Sequence, residues 1–156
     1  MKLTLITVGK TDVPWVREGL QLYASRLQHY VRFDIREIPE LKNAGALSEE
    51  QIKAKEGASI LKEAEGTEMI LLDEHGKEFR SVEFAREIQN RLNRGGRDVC
   101  FVIGGAYGFS QDVYDKAAGK ISLSKMTFSH QMVRAIFAEQ LYRAFTIIKG
   151  EPYHHE

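Results

Sequence analysis

Residues 98–109 read Asp98-Val99-Cys100-Phe101-Val102-Ile103-Gly104-Gly105-Ala106-Tyr107-Gly108-Phe109. Five consecutive apolar residues, bounded by an acid and by a glycine cluster, fit a strand buried on both faces; a sheet solvated on one side would alternate instead. Outward from this stretch, apolar strands and amphipathic helices take turns in both directions. Residues 69–72 form a second wholly apolar strand, ending in the turn residues Asp73-Glu74-His75-Gly76. Residues 2–8 and 32–38 read as strands stopped by Gly9 and Pro39. Between the strands, Val16, Leu20, Tyr23 and Leu27 recur at helical spacing behind Pro14, which suits a first turn. Ser48 with Gln51 forms a capping-box signature for a helix running to about Ala64. Ser81 can cap a helix carrying Phe84, Ile88 and Leu92, which stops at Gly95-Gly96. Beyond the glycines, Ser110 caps a short helix, 121–123 is a brief strand, and His130 or Gln131 begins a long final helix. The alternation predicts an α/β layered fold with a mostly parallel sheet, as one domain over 1–156.

Composition narrows the function classes. The 156 residues are 43% hydrophobic and 28% charged, ordinary for a globular chain with one real core. Lysine plus arginine and aspartate plus glutamate are 22 each, so global charge does not announce a nucleic-acid binder. From Lys120 onward there are five Lys/Arg against three Glu, with three of the five histidines, a mild basic lean. No apolar run approaches the ~20 residues of a membrane helix. The single cysteine, Cys100, reads as a buried reduced thiol. These features predict a cytoplasmic protein with no membrane partner.

In parallel sheets ligands sit beyond the carboxyl ends of the strands. The glycine-rich 104–108 segment follows such an end, and glycines there let a backbone approach a ligand closely. It is neither a dinucleotide fingerprint nor a phosphate loop, so on its own it marks a turn or a ligand of unnamed class. The segment 123–128 alternates apolar and polar residues (Leu123, Ser124, Lys125, Met126, Thr127, Phe128) and could enclose a flat aromatic ligand. The last helix carries Val133, Phe137, Leu141, Phe145 and Ile148 in one line, with Met132, Ile136 and Ala144 beside it. That width suggests burial against the sheet and against a second subunit. Arg134, Arg143 and the terminal Tyr153-His154-His155-Glu156 could meet phosphates or handle a proton. Trp15 and Tyr23 suit a core or an interface, and His29 and His75 the surface. No spacing makes a convincing metal site.

The chain as a whole resembles the ribosomal RNA large-subunit methyltransferase H family, of the SPOUT class. The resemblance rests on the opening through Val8-Gly9-Lys10, Ile38-Pro39, Leu72-Asp73 with Gly76-Lys77, and 101–105 with Gly108. It continues through 123–128, His130, Val133-Arg134, 139–144 and Pro152-Tyr153-His154. It implies an α/β knot: a mostly parallel sheet flanked by helices, with a C-terminal trefoil knot that periodicity could not reveal and general topology rules disfavour. It further implies a homodimer that uses S-adenosylmethionine to methylate N3 of a pseudouridine in 23S rRNA on the assembled ribosome. Leu72, Gly104, Leu123, Ser124, Lys125, Met126, Thr127 and Phe128 would hold the cofactor, with no metal. Arg143 and His154 would be catalytic, His154 handling a proton and Arg143 stabilising charge on the uracil ring. Where the family commonly has Arg or Lys after the tail histidine, this chain has His155, so a permanent cation is missing there. Two other readings compete: a non-enzymatic ribosome-binding or assembly factor of the same fold, and a small-molecule enzyme using the glycine loop for a nucleotide.

Overall fold

The computed structural model describes residues 1–155; Glu156, the end of the terminal motif, lies outside the described residues. The elements are β1 (Lys2–Val8), α1 (Pro14–Leu27), β2 (Arg32–Ile38), α2 (Glu49–Glu63), β3 (Glu68–Glu78), α3 (Ser81–Arg94), β4 (Val99–Ile103), α4 (Gln111–Lys116), β5 (Gly119–Ser122) and α5 (Met132–Ile148). The five strands form one parallel sheet in the order β2-β1-β4-β3-β5. The α/β reading with a parallel sheet is correct.

The central strand explains its own composition. β4 pairs with β1 on one side and β3 on the other, and every residue of it is buried. Val99, Phe101 and Ile103 face one layer, where they join Leu3, Leu5, Leu20, Phe84, Ile88, Phe137 and Leu141 from β1, α1, α3 and α5. Cys100 and Val102 face the other, with Ile6, Val8, Ile60, Leu71 and Val113 from β1, α2, β3 and α4. Period-two geometry sends neighbours to opposite faces, so a strand covered twice must be apolar throughout. Cys100 is 1% exposed and receives the Thr67 hydroxyl at 3.1 Å; burial pushes its thiol up, away from nucleophilic use.

Caps follow the sequence in two cases and depart from it in one. Ser48 Oγ accepts from Gln51 N at 3.1 Å while Gln51 Oε1 accepts from Ser48 N at 2.9 Å. Ser110 Oγ accepts from Val113 N at 3.4 Å and opens α4. Ser81, by contrast, is the first residue of α3, and Arg80 is the cap, its N–H held by Glu83 Oε1 at 2.7 Å. The Ser81 hydroxyl instead donates to Gln140 Oε1 on α5 at 2.9 Å.

β3 is the main revision. The expected turn at 73–76 is instead an irregular continuation of the strand to Glu78. Ile121 of β5 is opposite both Leu72 and Lys77, so the intervening residues bulge out of register. Gly76 sits against this point: a Cβ there would stand 2.6 Å from Ile121 N and C. β5 itself runs Gly119–Ser122, earlier than expected, and α5 begins at Met132 rather than at His130 or Gln131.

α5 lies on the sheet between α1 and α3, with Phe137 4.8 Å from the Phe101 ring centroid. Its first turn is tied to the end of β1. Arg134 is 1% exposed; its Nη2 donates to Val8 O at 2.8 Å, Nη1 to Gly9 O at 3.0 Å and Thr11 Oγ1 at 2.8 Å, and Nε to His130 O at 3.0 Å. Arg134 is therefore an internal strut, not a phosphate contact. Gln131 adds a bond from its amide to Lys10 O at 3.0 Å and accepts from Asp12 N at 3.0 Å. Trp15 is 61% exposed and so is not core. His29 and His75 are exposed.

Candidate cofactor cavity and terminal cluster

Because all strands run the same way, their carboxyl ends share one edge. There β3, β4 and β5 open into a cavity of about 550 Å³. The end of β3 contributes Leu72 and Asp73, the end of β4 contributes Ile103 and 104–109, and the segment after β5 contributes Leu123, Ser124, Met126, Thr127 and Phe128. His130 and Val133 close the side toward α5, and Lys53 and Tyr114 reach in from α2 and α4. Of the eight residues assigned to the cofactor from sequence, seven line this cavity; Lys125 does not.

The two expected walls are built differently. Gly104 passes beside the Phe109 ring, which a Cβ would meet at 3.0 Å. Behind Gly105 lies the Glu56 carboxylate, which a Cβ there would meet at 2.7 Å. Gly104 is thus needed for close packing against the cavity-lining Phe109, and Gly105 for close packing against Glu56 behind the wall. The 123–128 wall folds on itself: Ser122 Oγ donates to Ser124 O at 2.9 Å, and Ser124 Oγ accepts from Met126 N at 2.9 Å. Met126 is 78% exposed at its rim.

Two charged features of this region carry perturbed chemistry. Glu56 Oε1 is buried without a hydrogen-bond partner, and burial, followed by the charge of Glu40, pushes its carboxyl above the usual range. The Tyr114 hydroxyl donates to Asp73 Oδ2; burial first, then this carboxylate, pushes Tyr114 up to about 12. Asp73 Oδ1 also accepts from His75 N at 2.7 Å. Tyr114 was not legible as a site residue, because only the packing of α4 beside β3 brings it to Asp73. Among the described residues no group of His, Cys, Asp and Glu is arranged to hold a metal ion.

Arg143 and His154 come together, but elsewhere. Arg143 Nη1 lies 3.0 Å from His154 Nδ1, while Nε and Nη2 donate to Glu139. The Tyr153 ring covers the guanidinium at 4.8 Å. Its hydroxyl donates to Glu139 Oε1 at 3.3 Å and lies 3.4 Å from the Tyr23 hydroxyl. The Glu139 hydrogen bonds hold Arg143 above its ordinary value, and burial, then the Tyr23 contact, does the same for Tyr153. None of these residues lines the cavity. Val133 does, and Arg143 is ten residues further along α5, or about 15 Å at 1.5 Å per residue.

Comparison with known proteins places these features in a family. Residues 1–154 match the family model described as "Predicted SPOUT methyltransferase". The chain is 53% identical over 156 residues to a protein of Christiangramia forsetii named ribosomal RNA large subunit methyltransferase H, covering 99% of each. It is 55% identical over 157 residues to a protein of the same name from Bacteroides fragilis, covering 100% of each. Its fold is also similar to a probable methylase family protein from Haemophilus influenzae, with TM-score 0.55 and 11% identity over 99% of this chain and 70% of that one.

Proposed function

The chain belongs to the SPOUT methyltransferase family, and from that premise we propose that it methylates N3 of a pseudouridine in 23S rRNA, with S-adenosylmethionine as donor. The proposed substrate is the assembled ribosome in the cytoplasm, and the active form a homodimer of single-domain chains. The observation that carries the reading is end-to-end identity above one half with proteins named as large-subunit rRNA methyltransferases. Those names also weigh against a non-enzymatic ribosome-binding factor. No helix is long and apolar enough to cross a membrane among the described residues.

The cavity fits the donor. Its volume falls within the range of small-molecule sites, two glycine backbones form one wall, and Leu72, Leu123, Met126 and Phe128 offer apolar surface to a flat base. When bound, S-adenosylmethionine supplies an electrophilic methyl group. The chain's residues must align the partners and deal with the N3 proton and the charge left on the uracil ring. We assign the latter to Arg143 and His154. A guanidinium only donates, so in their 3.0 Å contact His154 Nδ1 is the acceptor and Arg143 Nη1 the donor. Accepting a proton at Nδ1 would require giving up the Arg143 contact.

The separation between this cluster and the cavity supports the homodimer: a second copy of the chain would bring its terminus to the first copy's cavity. Trp15 and Leu22 on α1 and Met132 on α5 are exposed and apolar, as an interface requires. The trefoil path is proposed on the same footing. Its support is that the chain leaves edge strand β5, packed against Gly76, and inserts α5 between α1 and α3.

The test is methyl transfer from radiolabelled S-adenosylmethionine to ribosomes purified from cells lacking the modification, with the product base identified by mass spectrometry. The expected result is about one methyl per large subunit, on N3 of a pseudouridine. Absence of transfer to those ribosomes refutes the proposal.

A further inference from the structure

We infer that Asp73 biases the cavity toward the cationic methyl donor over the neutral product left after transfer, with Tyr114 holding its carboxylate in place. This rests on the S-adenosylmethionine reading above and adds a selectivity residue to it. Asp73 stands where β3 parts from β4, immediately after the last register pair Leu72–Ile103, and its side chain lines the cavity. Both carboxylate oxygens are engaged by neutral donors: the His75 N–H at 2.7 Å and the Tyr114 hydroxyl. These bonds orient the carboxylate without cancelling its charge.

Nothing else on the wall cancels it. Among the described residues, Lys53 is the one lysine or arginine lining the cavity, and its Nζ is 2.9 Å from Glu50 Oε1. Glu74 also lines the cavity, and Glu56 stands behind Gly105. With Asp73 and Glu74 against the single Lys53, the lining carries excess negative charge without counting Glu56, and Asp73 is its fixed, half-buried member. S-adenosylmethionine bears a sulfonium, an ammonium and one carboxylate, so it is a net cation. S-adenosylhomocysteine has a thioether in place of the sulfonium and is net neutral. A carboxylate on the wall attracts the first more than the second, and at the intermediate dielectric of a half-open site the difference is on the order of tenfold in affinity. Such a bias counters product inhibition, because the charge that draws the donor in disappears with the methyl group.

Calorimetry with S-adenosylmethionine, S-adenosylhomocysteine and sinefungin (an analogue with an ammonium in place of the sulfonium) tests this on the full chain. In Asp73→Asn, affinity for the two cationic ligands should fall about tenfold relative to that for S-adenosylhomocysteine. Asp73→Ser repeats the measurement with a second neutral side chain should the asparagine variant not fold. Tyr114→Phe keeps the charge and loosens its anchor, so it should weaken all three ligands together and leave their ratios nearly unchanged. Equal losses for all three ligands in both Asp73 variants overturn the inference, since a purely structural role predicts that result. A ratio shift in Tyr114→Phe as large as that in Asp73→Asn also overturns it. If the wild-type chain binds none of the three, the donor reading itself fails, and this inference with it.

Discussion

Replacing Gly76 with alanine should damage the molecule more than any neighbouring glycine change, and the size of the effect follows from three distances. The new Cβ would stand 2.6 Å from Ile121 N, 2.6 Å from Ile121 C and 2.7 Å from Ile121 Cα. Carbon contacts are comfortable at about 3.5–4.0 Å, so one strand must give by roughly 1 Å. Neither yields easily, because the obstacle is backbone rather than the tip of a side chain, and Ile121 is paired to both Leu72 and Lys77. Overpacking typically costs 1–3 kcal/mol, and the upper end applies here, about 3 kcal/mol. For a chain of this size each kcal/mol lowers Tm by about 2–4 °C, so Gly76→Ala should melt about 6–12 °C below wild type. Ile121 and Leu123 line the cavity, so donor affinity should fall as well. Gly119→Ala is the control: it lies in the same β5 strand, with nothing within 4 Å of its added Cβ and no positive φ. Thermal unfolding followed by circular dichroism at matched protein concentration reads both. Gly76→Ala melting within about 2 °C of wild type, or Gly119→Ala losing as much, would refute the reasoning.

Three further outcomes follow from the same packing. Arg134→Met removes the guanidinium donor from the carbonyls of Val8, Gly9 and His130, leaving that of Gly9 with the Thr7 hydroxyl at 3.3 Å, and should cost about 3 kcal/mol or more in denaturant unfolding. Arg134→Lys should recover less than half, since an ammonium cannot reproduce the planar fork. Glu56 has its folded-state pKa raised by burial, so its stabilising contribution is present below the unfolded carboxyl value and is lost as pH rises through the folded one. Glu56→Gln should therefore raise Tm at pH 7–8 and give no gain near pH 4, with a size of at most about 1 kcal/mol after solvent screening; an unchanged Tm at neutral pH would contradict it. His154→Ala should lower turnover on ribosomes about 100-fold while leaving donor affinity by calorimetry unchanged, because its proposed role is on the target base and not on the donor; equal loss of both would contradict that role.

What could be read from the residues was whatever consecutive residues encode. The apolar run 99–103 announces a strand covered on both faces because period-two geometry exposes every position to one of two helix layers. Ser48 with Gln51, and Ser110 before α4, announce helix starts because a cap satisfies donors only two or three residues away. The cavity was legible for the same reason: a parallel sheet puts all carboxyl ends on one edge, so Leu72, Gly104 and 123–128 had to converge. What only the tertiary structure decided involves partners far apart in the chain. The stretch 73–76 looks like a turn and is a bulged strand, because Ile121 supplies a second pairing that local residues cannot signal. Arg134 looks like a surface cation and is a buried strut, because its acceptors lie on the end of β1. Asp73 gains an orienting Tyr114 only when α4 packs beside β3. Arg143 and His154, expected near the target base, meet each other about 15 Å along α5 from this chain's own cavity. Spacing along one helix fixes which residues meet; where that helix is laid, and whether a second chain completes the site, depends on long-range packing that no local pattern carries.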